Sequence, residues 1–582
     1  MTVSIATAAF DAPPAAPAPR KAAGAWADAL AATAAIAANP QRLLADVMAE
    51  LALTHGSSAA LLSDRETYTF SSLSGRINQY RHWAQAIGLT KGETVALIMS
   101  NRPDYFAAWL GLSKEGIIVA LINTSLTGEA LAHALAVASP RRIITEGRYA
   151  HHFDAATPVS RHEGLVDAMP RTAPQQSTVV EITDTALLIY TSGTTGLPKA
   201  AIVSHRRVLN WALWFAGLLG NRPSDRMYNC LPMYHSVGGV VAVAATLVAG
   251  GSTVIAEKFS ASQFWNDIRR WDCTQIQYIG ELCRYLLAQP VSPGDCTHRL
   301  RLACGNGLRP DIWTAFSERF KLPQIIEFYA ATEGTFSLYN VEGQSGSIGR
   351  IPPYLRHRFK VAIVKHDADT GLPVRGADGL CLKAMVGEPG EALGFISNPA
   401  QFEGYTNAED NARKIVRDVF VADDTWFRTG DLMRVDAAGH HYFVDRIGDT
   451  FRWKGENVST LEVANMLSSA PGVADVMVYG VNVPHADGKA GMAHLTAGKD
   501  FDLAAFADHV MSRLARYAQP VFLRIGTSAD MTETFKHRKN TLQDQGFDPE
   551  NSADQLFILL NGAYRSLTVE VFKAIQSGEV RL

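Results

Sequence analysis

Residues 186–199 read Ala-Leu-Leu-Ile-Tyr-Thr-Ser-Gly-Thr-Thr-Gly-Leu-Pro-Lys, and the rest of the chain is read outward from them. The apolar run 186–190, stopped by turn-forming residues, has the length and character of a strand buried on both faces. It leads into Thr191, Ser192, Gly193, Thr194, Thr195 and Gly196, with Lys199 following Pro198. Glycines let backbone N–H groups come close to a ligand, hydroxyls add donors, and a lysine adds a point positive charge. At the end of a strand, that combination suits a polyphosphate. It is not the phosphate loop that closes on Gly-Lys and a Ser or Thr for magnesium, because Lys199 stands between Pro198 and Ala200. A divalent cation must therefore find its protein ligand elsewhere.

On either side of this stretch, short β-rich runs alternate with amphipathic ones. Runs at 94–98, 116–121 and 142–144 read as strands, and 70–87 and 264–271 as helices. This alternation predicts an α/β fold with a mostly parallel, doubly covered sheet. Twenty uncharged residues, 237–256, have the length of a membrane span. Gly250-Gly251 breaks the stretch and Thr253-Val254-Ile255 prefers strand, so a buried helix, a turn and a buried strand are expected. Turn signals become dense over 350–394, as in a small β-barrel-like unit. Beyond the charged segment 445–449, helices at 460–468 and 503–517 and strands at 474–479 and 521–525 outline a smaller α+β domain. The expected organisation is an Ala/Pro-rich leader over 1–40, disordered or loosely helical, a large domain over 41–445, a hinge at 446–449, and a mobile domain over 450–582.

Composition narrows the function classes. The 582 residues are 47% hydrophobic and 19% charged, ordinary values for a globular chain and unlike a polytopic membrane protein or a disordered one. With 54 Lys+Arg against 57 Asp+Glu, net charge −3, there is no bulk basic field for nucleic acid. Six cysteines lie far apart with no Cys-x-x-Cys pair, which favours a reducing compartment and buried thiols over disulfides or zinc. The leader carries 18 Ala and 5 Pro in 40 residues, and its first positive charges, Arg20 and Lys21, come too late for a secretory signal.

The string from Ile189 through Lys199 to Ser204-His205 resembles the AMP-binding signature of the superfamily of acyl- and aryl-CoA synthetases, adenylation domains and luciferases. Later motifs agree in order: Pro232-Met233-Tyr234-His235-Ser236, Glu327-Phe328-Tyr329-Ala330-Ala331-Thr332-Glu333-Gly334, Phe427-Arg428-Thr429-Gly430-Asp431 and Thr534-Phe535-Lys536. Ala303-Cys304-Gly305-Asn306-Gly307-Leu308-Arg309, the run 445–460, Lys536-His537-Arg538-Lys539 and Gly546-Phe547-Asp548-Pro549 are similar to the fatty-acid transport protein and very-long-chain acyl-CoA synthetase branch. The resemblance covers about 60–549.

It implies two reactions. A carboxylate attacks the α-phosphate of ATP, giving acyl-AMP and pyrophosphate, and the thiol of CoA then takes the acyl group. Two anions meet in the first step, so positioning and electrostatic stabilisation should dominate. By motif match, Thr191, Ser192, Gly193, Thr194, Thr195, Gly196 and Lys199 hold the β/γ-phosphates, and Glu333 holds Mg²⁺. Thr332 faces the α-phosphate. Tyr329 offers a ring to adenine, with Gly305, Asn306 and Gly307 on the other side. Asp431 accepts the ribose hydroxyls, with Arg446 beside it. His235 borders the carboxylate and the acyl entrance. Lys454, Gly455 and Glu456 lie in a segment that turns toward CoA. Lys536 is the catalytic lysine that bridges carboxylate and α-phosphate, with Lys539 as its rival.

Two departures stand out. Ala330 replaces the glycine of the Tyr-Gly-x-Thr-Glu motif, and Gly448 stands where many relatives carry Asp or Lys. Gly448 suits a rotation between two poses of the terminal domain. The helical stripe Trp211, Trp214, Phe215, Leu218 and Leu219 fits an acyl tunnel or a core-facing helix equally well. The implied substrate is a long- or very-long-chain fatty acid. The alternatives are an acyl-AMP ligase, a CoA ligase for a bile-acid, carnitine-like or aryl acid, or a membrane-associated fatty-acid uptake protein. A cytoplasmic location with peripheral contact at the inner face of a membrane is expected. Chain-length preference and oligomeric state are not legible.

Overall fold

The computed structural model describes residues 20–192, 197–368, 370–398, 402–454, 456–486, 488–526 and 539–582. Within them the chain forms two compact units, one of 20–349 with 402–412, the other of 350–398 with 413–582. The segment 446–449 lies inside the second unit.

The first unit is built on two sheets. One has six strands in the order Val159–Arg161, Arg142–Thr145, Thr94–Ile98, Ile118–Leu121, Thr185–Ser192, Pro198–Ser204. All neighbours are parallel except the last pair. The central strands are apolar throughout because helices cover them, and Val95, Ala96, Leu97, Val119, Ala120 and Leu187 are fully buried. The other sheet has eight strands, from Ser337–Asn340 through Ile325–Ala330, Leu302–Asn306, Gln275–Ile279, Arg226–Asn229, Ser252–Ile255 and Ala59–Leu62 to Thr67–Thr69. Its edge pairs are antiparallel and its interior is parallel. The α/β reading of the sequence is thus observed. The uncharged stretch 237–256 is a π-helical turn at Val237–Ala242, a short helix at Val243–Leu247, a turn, and the strand Ser252–Ile255. Among the described residues no helix is long and apolar enough to cross a membrane.

The leader departs from expectation in its second half. Ala22–Ala38 is a helix rather than a loose coil, and it lies along the helix His205–Leu219. Trp26, 2% exposed, meets Trp214 and Tyr339 edge-on at ring-centroid distances of 5.7 and 5.6 Å. Arg20 donates to the carbonyls of Gly217 and Leu218, near the C-terminal end of that helix. Alanine-rich composition gives helix propensity but no information on docking. One tryptophan supplies the anchor. Residues 1–19 lie outside the described residues.

The second unit holds two antiparallel-rich sheets. Val361–Val364, Gly390–Phe395, Thr425–Val435 and Ile415–Arg417 form one sheet, with His441–Arg446 paired to Thr425–Val435. The second sheet orders Val473–Asn482, Lys489–Ala497, Phe522–Gly526, Gln555–Leu560 and Ala563–Ser566, with helices at Thr460–Ser468, Leu503–Arg513 and Val569–Ser577. Its core is a cluster including Tyr479, Met492, Phe506 and Phe522.

Candidate functional site

The strand that opens the signature runs two residues further than expected, to Ser192, and pairs antiparallel with Pro198–Ser204 up to Ser192↔Pro198. The glycine- and hydroxyl-rich segment therefore joins the two strands of a hairpin, and the following helix begins only at His205. Anion binding here rests on the loop's own donors and Lys199, without a helix terminus behind them. Gly193, Thr194, Thr195 and Gly196, and the side chain of Ser192, lie outside the described residues.

The free edge of the hairpin carries a second segment, 402–412. Ile202 N–H donates to Gly404 O at 2.9 Å, and Thr406 N–H to Ala200 O at 3.0 Å, so Tyr405 is clamped on both sides. The Asn411 side chain accepts from Tyr405 N–H at 2.6 Å and donates to Tyr405 O at 2.9 Å. Gly404 has φ +58°, and a Cβ there would stand 2.2 Å from Asn411 Oδ1, so only glycine fits that turn.

Tyr405 stands among the predicted phosphate and metal residues. Its hydroxyl donates to Glu333 Oε1 at 2.7 Å and lies 3.5 Å from Thr191 Oγ. Lys199 Nζ lies 6.0 Å from the centre of its ring. Tyr405 is 6% and Glu333 7% exposed. Burial and the facing Glu333 carboxylate push the Tyr405 phenol far above its ordinary range, so it is a neutral donor. Lys199 itself is paired with Asp410 at 2.7 Å.

A second bracket ties the signature helix to the Thr332-Glu333 motif. Ser204 caps that helix and donates, from its N–H at 2.8 Å and its hydroxyl at 2.7 Å, to the two oxygens of Glu403. Arg207, one turn on, reaches Glu403 at 3.5 Å and donates to the Thr332 carbonyl at 2.6 Å. The Thr332 hydroxyl is 3.3 Å from that of Ser236, next to His235. His235 sits against the Tyr234 ring at 4.7 Å and immediately precedes the turn 237–242. Gly238 and Gly239 pack on the Pro232 and Met233 carbonyls, where a Cβ would come within 2.3 and 2.2 Å. π-Turns of this kind recur at functional sites.

Gly305, Asn306 and Gly307 end the strand Leu302–Asn306, beside the strand Ile325–Ala330 that presents Tyr329. Glycine is needed at 305 for packing beneath the strand, since a Cβ would lie 2.3 Å from Tyr278 O. Under the same loop is Glu327, 2% exposed, accepting from the Tyr278 hydroxyl at 2.6 Å and Leu308 N–H at 3.0 Å. Burial raises its carboxyl to about 7. Tyr329 meets Phe336 edge-on at 5.5 Å. Of the helical stripe, Trp214, Phe215, Leu218 and Leu219 are buried, and Trp214 and Phe215 join Trp26, Tyr339 and Phe328 in one aromatic cluster. Their role in the fold is core packing.

In the second unit, Asp431 and Arg446 are register partners on adjacent strands, with Arg446 Nε 3.7 Å from Asp431 Oδ1. Asp431 is held by its N–H donating to Thr429 Oγ1 at 3.0 Å, and the Thr429 hydroxyl donates to Ala392 O at 2.8 Å. Gly448 has φ +98° with open space around its α-carbon, so conformation rather than crowding calls for glycine. Lys454, at φ +50°, and Glu456 are exposed at the tip of the hairpin Phe451–Trp453 with Glu456–Val458. Gly455 and Lys536 lie outside the described residues, as does the side chain of Lys539.

Thr191, Lys199, Thr332 and Glu333, distant in sequence, are thus gathered through Tyr405 and Arg207. Tyr405, Asp410, Arg207, Glu403 and Glu327 were missed by sequence reasoning. The Gly404-Tyr405 pair beside Glu403 was the one local signal, and nothing in its spacing pointed to the signature.

An AMP-binding enzyme model matches residues 49–406, and an AMP-binding enzyme C-terminal domain model matches 462–536. The chain belongs to the AMP-binding enzyme family. Long-chain fatty acid transport protein 1 of Mus musculus is 40% identical over 546 residues, 88% of this chain and 84% of that protein. A medium/long-chain-fatty-acid–CoA ligase of Mycobacterium tuberculosis is 38% identical over 538 residues, 90% of this chain and 88% of that protein. Among solved structures, ATP-bound MatB from Rhodopseudomonas palustris aligns with TM-score 0.74 at 21% identity, covering 87% of this chain and 100% of that one. That likeness speaks for the fold.

Proposed function

We propose that the protein activates a long- or very-long-chain fatty acid with ATP to acyl-AMP and transfers the acyl group to CoA, releasing AMP and pyrophosphate. The chain is an AMP-forming acyl-CoA synthetase, a member of the family whose relatives include fatty-acid CoA ligases. The observation that carries the site reading is the Tyr405 hydroxyl between Thr191 and Glu333, with Lys199 against the same ring. It brings the candidate phosphate cradle and the candidate metal ligand within one hydrogen-bonded group.

Lys199 and the hydroxyls at 191, 192, 194 and 195 bind the β- and γ-phosphates. The Thr332 hydroxyl orients the α-phosphate, and Arg207 fixes the Thr332 backbone that presents it. Glu333 fits Mg²⁺, which takes one or two carboxylates plus phosphate oxygens and keeps several waters. Among the described residues no cluster of three or more His, Cys, Asp or Glu would hold a metal by itself, in keeping with a metal that arrives with its nucleotide. Bound there, magnesium would neutralise phosphate charge. Asp431 and Arg446 take the ribose, Tyr329 and 305–307 the adenine, and His235 borders the carboxylate. Lys536 supplies positive charge as the carboxylate attacks, and rotation about 446–449 then brings 451–457 toward CoA. A fatty acid already resident in a bilayer makes peripheral contact with the cytoplasmic face of a membrane part of this reading.

Release of AMP across fatty acids of increasing length, with CoA omitted or supplied, tests the assignment. Lys536→Ala is expected to lose carboxylate-dependent pyrophosphate exchange yet still form thioester from supplied acyl-AMP. Equal loss of both reactions transfers the role to Lys539 or another base.

A further inference from the structure

The Lys199 ammonium is committed within its own chain: Asp410 Oδ1 lies 2.7 Å away, and the two side chains are 19% and 15% exposed. Asp410 is not placed by chance. It follows the clamped Tyr405 by five residues, on the short helix Ala408–Arg413, and its N–H donates to Asn407 Oδ1 at 3.4 Å. The Asn411 bonds to Tyr405 pin the start of that helix against the hairpin edge. A carboxylate is thereby held on the lysine that the preceding section assigns to phosphate. A triphosphate approaching Lys199 meets one cation and one anion, and the anion repels it in a poorly hydrated setting.

We propose that Asp410 is a resident counterion for Lys199, displaced by the terminal phosphates of the nucleotide and restored when pyrophosphate leaves. This rests on the reading of Lys199 as a phosphate ligand. The pair keeps a half-buried ammonium compensated while no phosphate is bound, and it weakens phosphate binding by the free energy needed to part it. Asp410 touches neither substrate nor reacting atoms, so it sets affinity and release rather than chemistry. Tyr405 stays fixed during the exchange, because its backbone is bonded on both sides and its hydroxyl faces Glu333 rather than Lys199.

The sign of the effect separates this role from a merely structural one. A structural Asp410 would, when changed, weaken the site; a counterion would, when neutralised, strengthen it. The test is calorimetric titration of the full chain with inorganic pyrophosphate in excess magnesium. Asp410→Asn is expected to bind about fivefold tighter than the wild type, the fold-change that parting a partly exposed ion pair carries. Asp410→Glu, which keeps the charge, should stay within about twofold of the wild type. In steady state, Asp410→Asn should lower KM for ATP without raising kcat. Lys199→Ala should weaken pyrophosphate binding, and Asp410→Asn added to it should change nothing further. Asp410→Asn binding no tighter than the wild type, in protein that melts normally, overturns the counterion. Lys199→Ala binding as well as the wild type overturns instead the phosphate role of Lys199. If Asp410→Asn does not fold, the same titration of Asp410→Ser decides with the same expected sign.

Discussion

Removing a single oxygen atom, by Tyr405→Phe, should damage adenylation and spare thioester transfer. The phenol donates at 2.7 Å to Glu333 Oε1, and both groups are buried, at 6% and 7% exposure. A hydrogen bond to a charged group is worth about 1.5–3 kcal/mol, and the upper half of that range applies where water cannot replace the donor. At 1.36 kcal/mol per decade, loss of that bond in the step where Glu333 acts corresponds to about 10- to 150-fold. The ring stays, so packing beside Lys199 is kept, and the contact with Thr191 at 3.5 Å is too long to add much. The assay is ATP–pyrophosphate exchange with saturating fatty acid over a magnesium titration, run beside thioester formation from synthetic acyl-AMP. Exchange should fall by that factor and require more magnesium, while thioester formation changes less than about threefold, within the usual effect of a remote substitution. Exchange at the wild-type rate and magnesium dependence would show that the Tyr405–Glu333 bond does not serve the first reaction. Equal losses in both assays would make Tyr405 a general structural residue.

Three further outcomes follow from the same coordinates. Glu327 is raised to about 7 by burial, so its neutral form is the one the fold prefers. Its stabilising contribution is complete below the ordinary carboxylate range and is lost as pH rises from about 4.5 to about 7. Urea midpoints of wild type and Glu327→Gln measured from pH 5 to 8 should therefore diverge in favour of the variant as pH rises; parallel curves refute the burial argument. Trp26→Ala deletes a ring buried against Trp214 and Tyr339 and should cost about 3–5 kcal/mol in the unfolding of the first unit, whereas a loss under about 1 kcal/mol would mean the leader helix is not docked in solution. Gly448→Pro replaces φ +98° with a ring fixed near −65°, and should slow the half-reactions measured singly and together; normal rates in both would remove 446–449 as the pivot.

Much of the fold was legible because its signals are local. The strands at Thr94–Ile98, Ile118–Leu121 and Arg142–Thr145 are apolar runs whose period is decided within a few residues. The helix Thr460–Ser468 has its capping serine at 459, so both ends could be read. The helix expected at 503–517 ends at Arg513, where Leu514 turns extended before 515–520, because an apolar pattern outlasts the hydrogen bonds that define a helix. The signature string gave the phosphate residues, since glycine and hydroxyl density is a property of the chain itself. It could not show that the string closes a hairpin, which depends on Pro198–Ser204 finding the edge of Thr185–Ser192.

What the amino-acid order determined by itself was the chemistry on offer: a glycine- and hydroxyl-rich turn, a lysine, a Thr332-Glu333 pair, an Asp431, and a family resemblance linking them. What only the tertiary structure decided was which groups restrain them. Tyr405 against Glu333, Asp410 against Lys199, Arg207 against Thr332, and Trp26 against Trp214 join residues between 72 and 211 positions apart, or nearly 190 for the tryptophans. Hydrogen bonds and ring contacts act over a few ångströms, and along the chain such partners carry no periodicity or spacing. They become neighbours only after two strands have paired and a distant segment has been laid on their open edge.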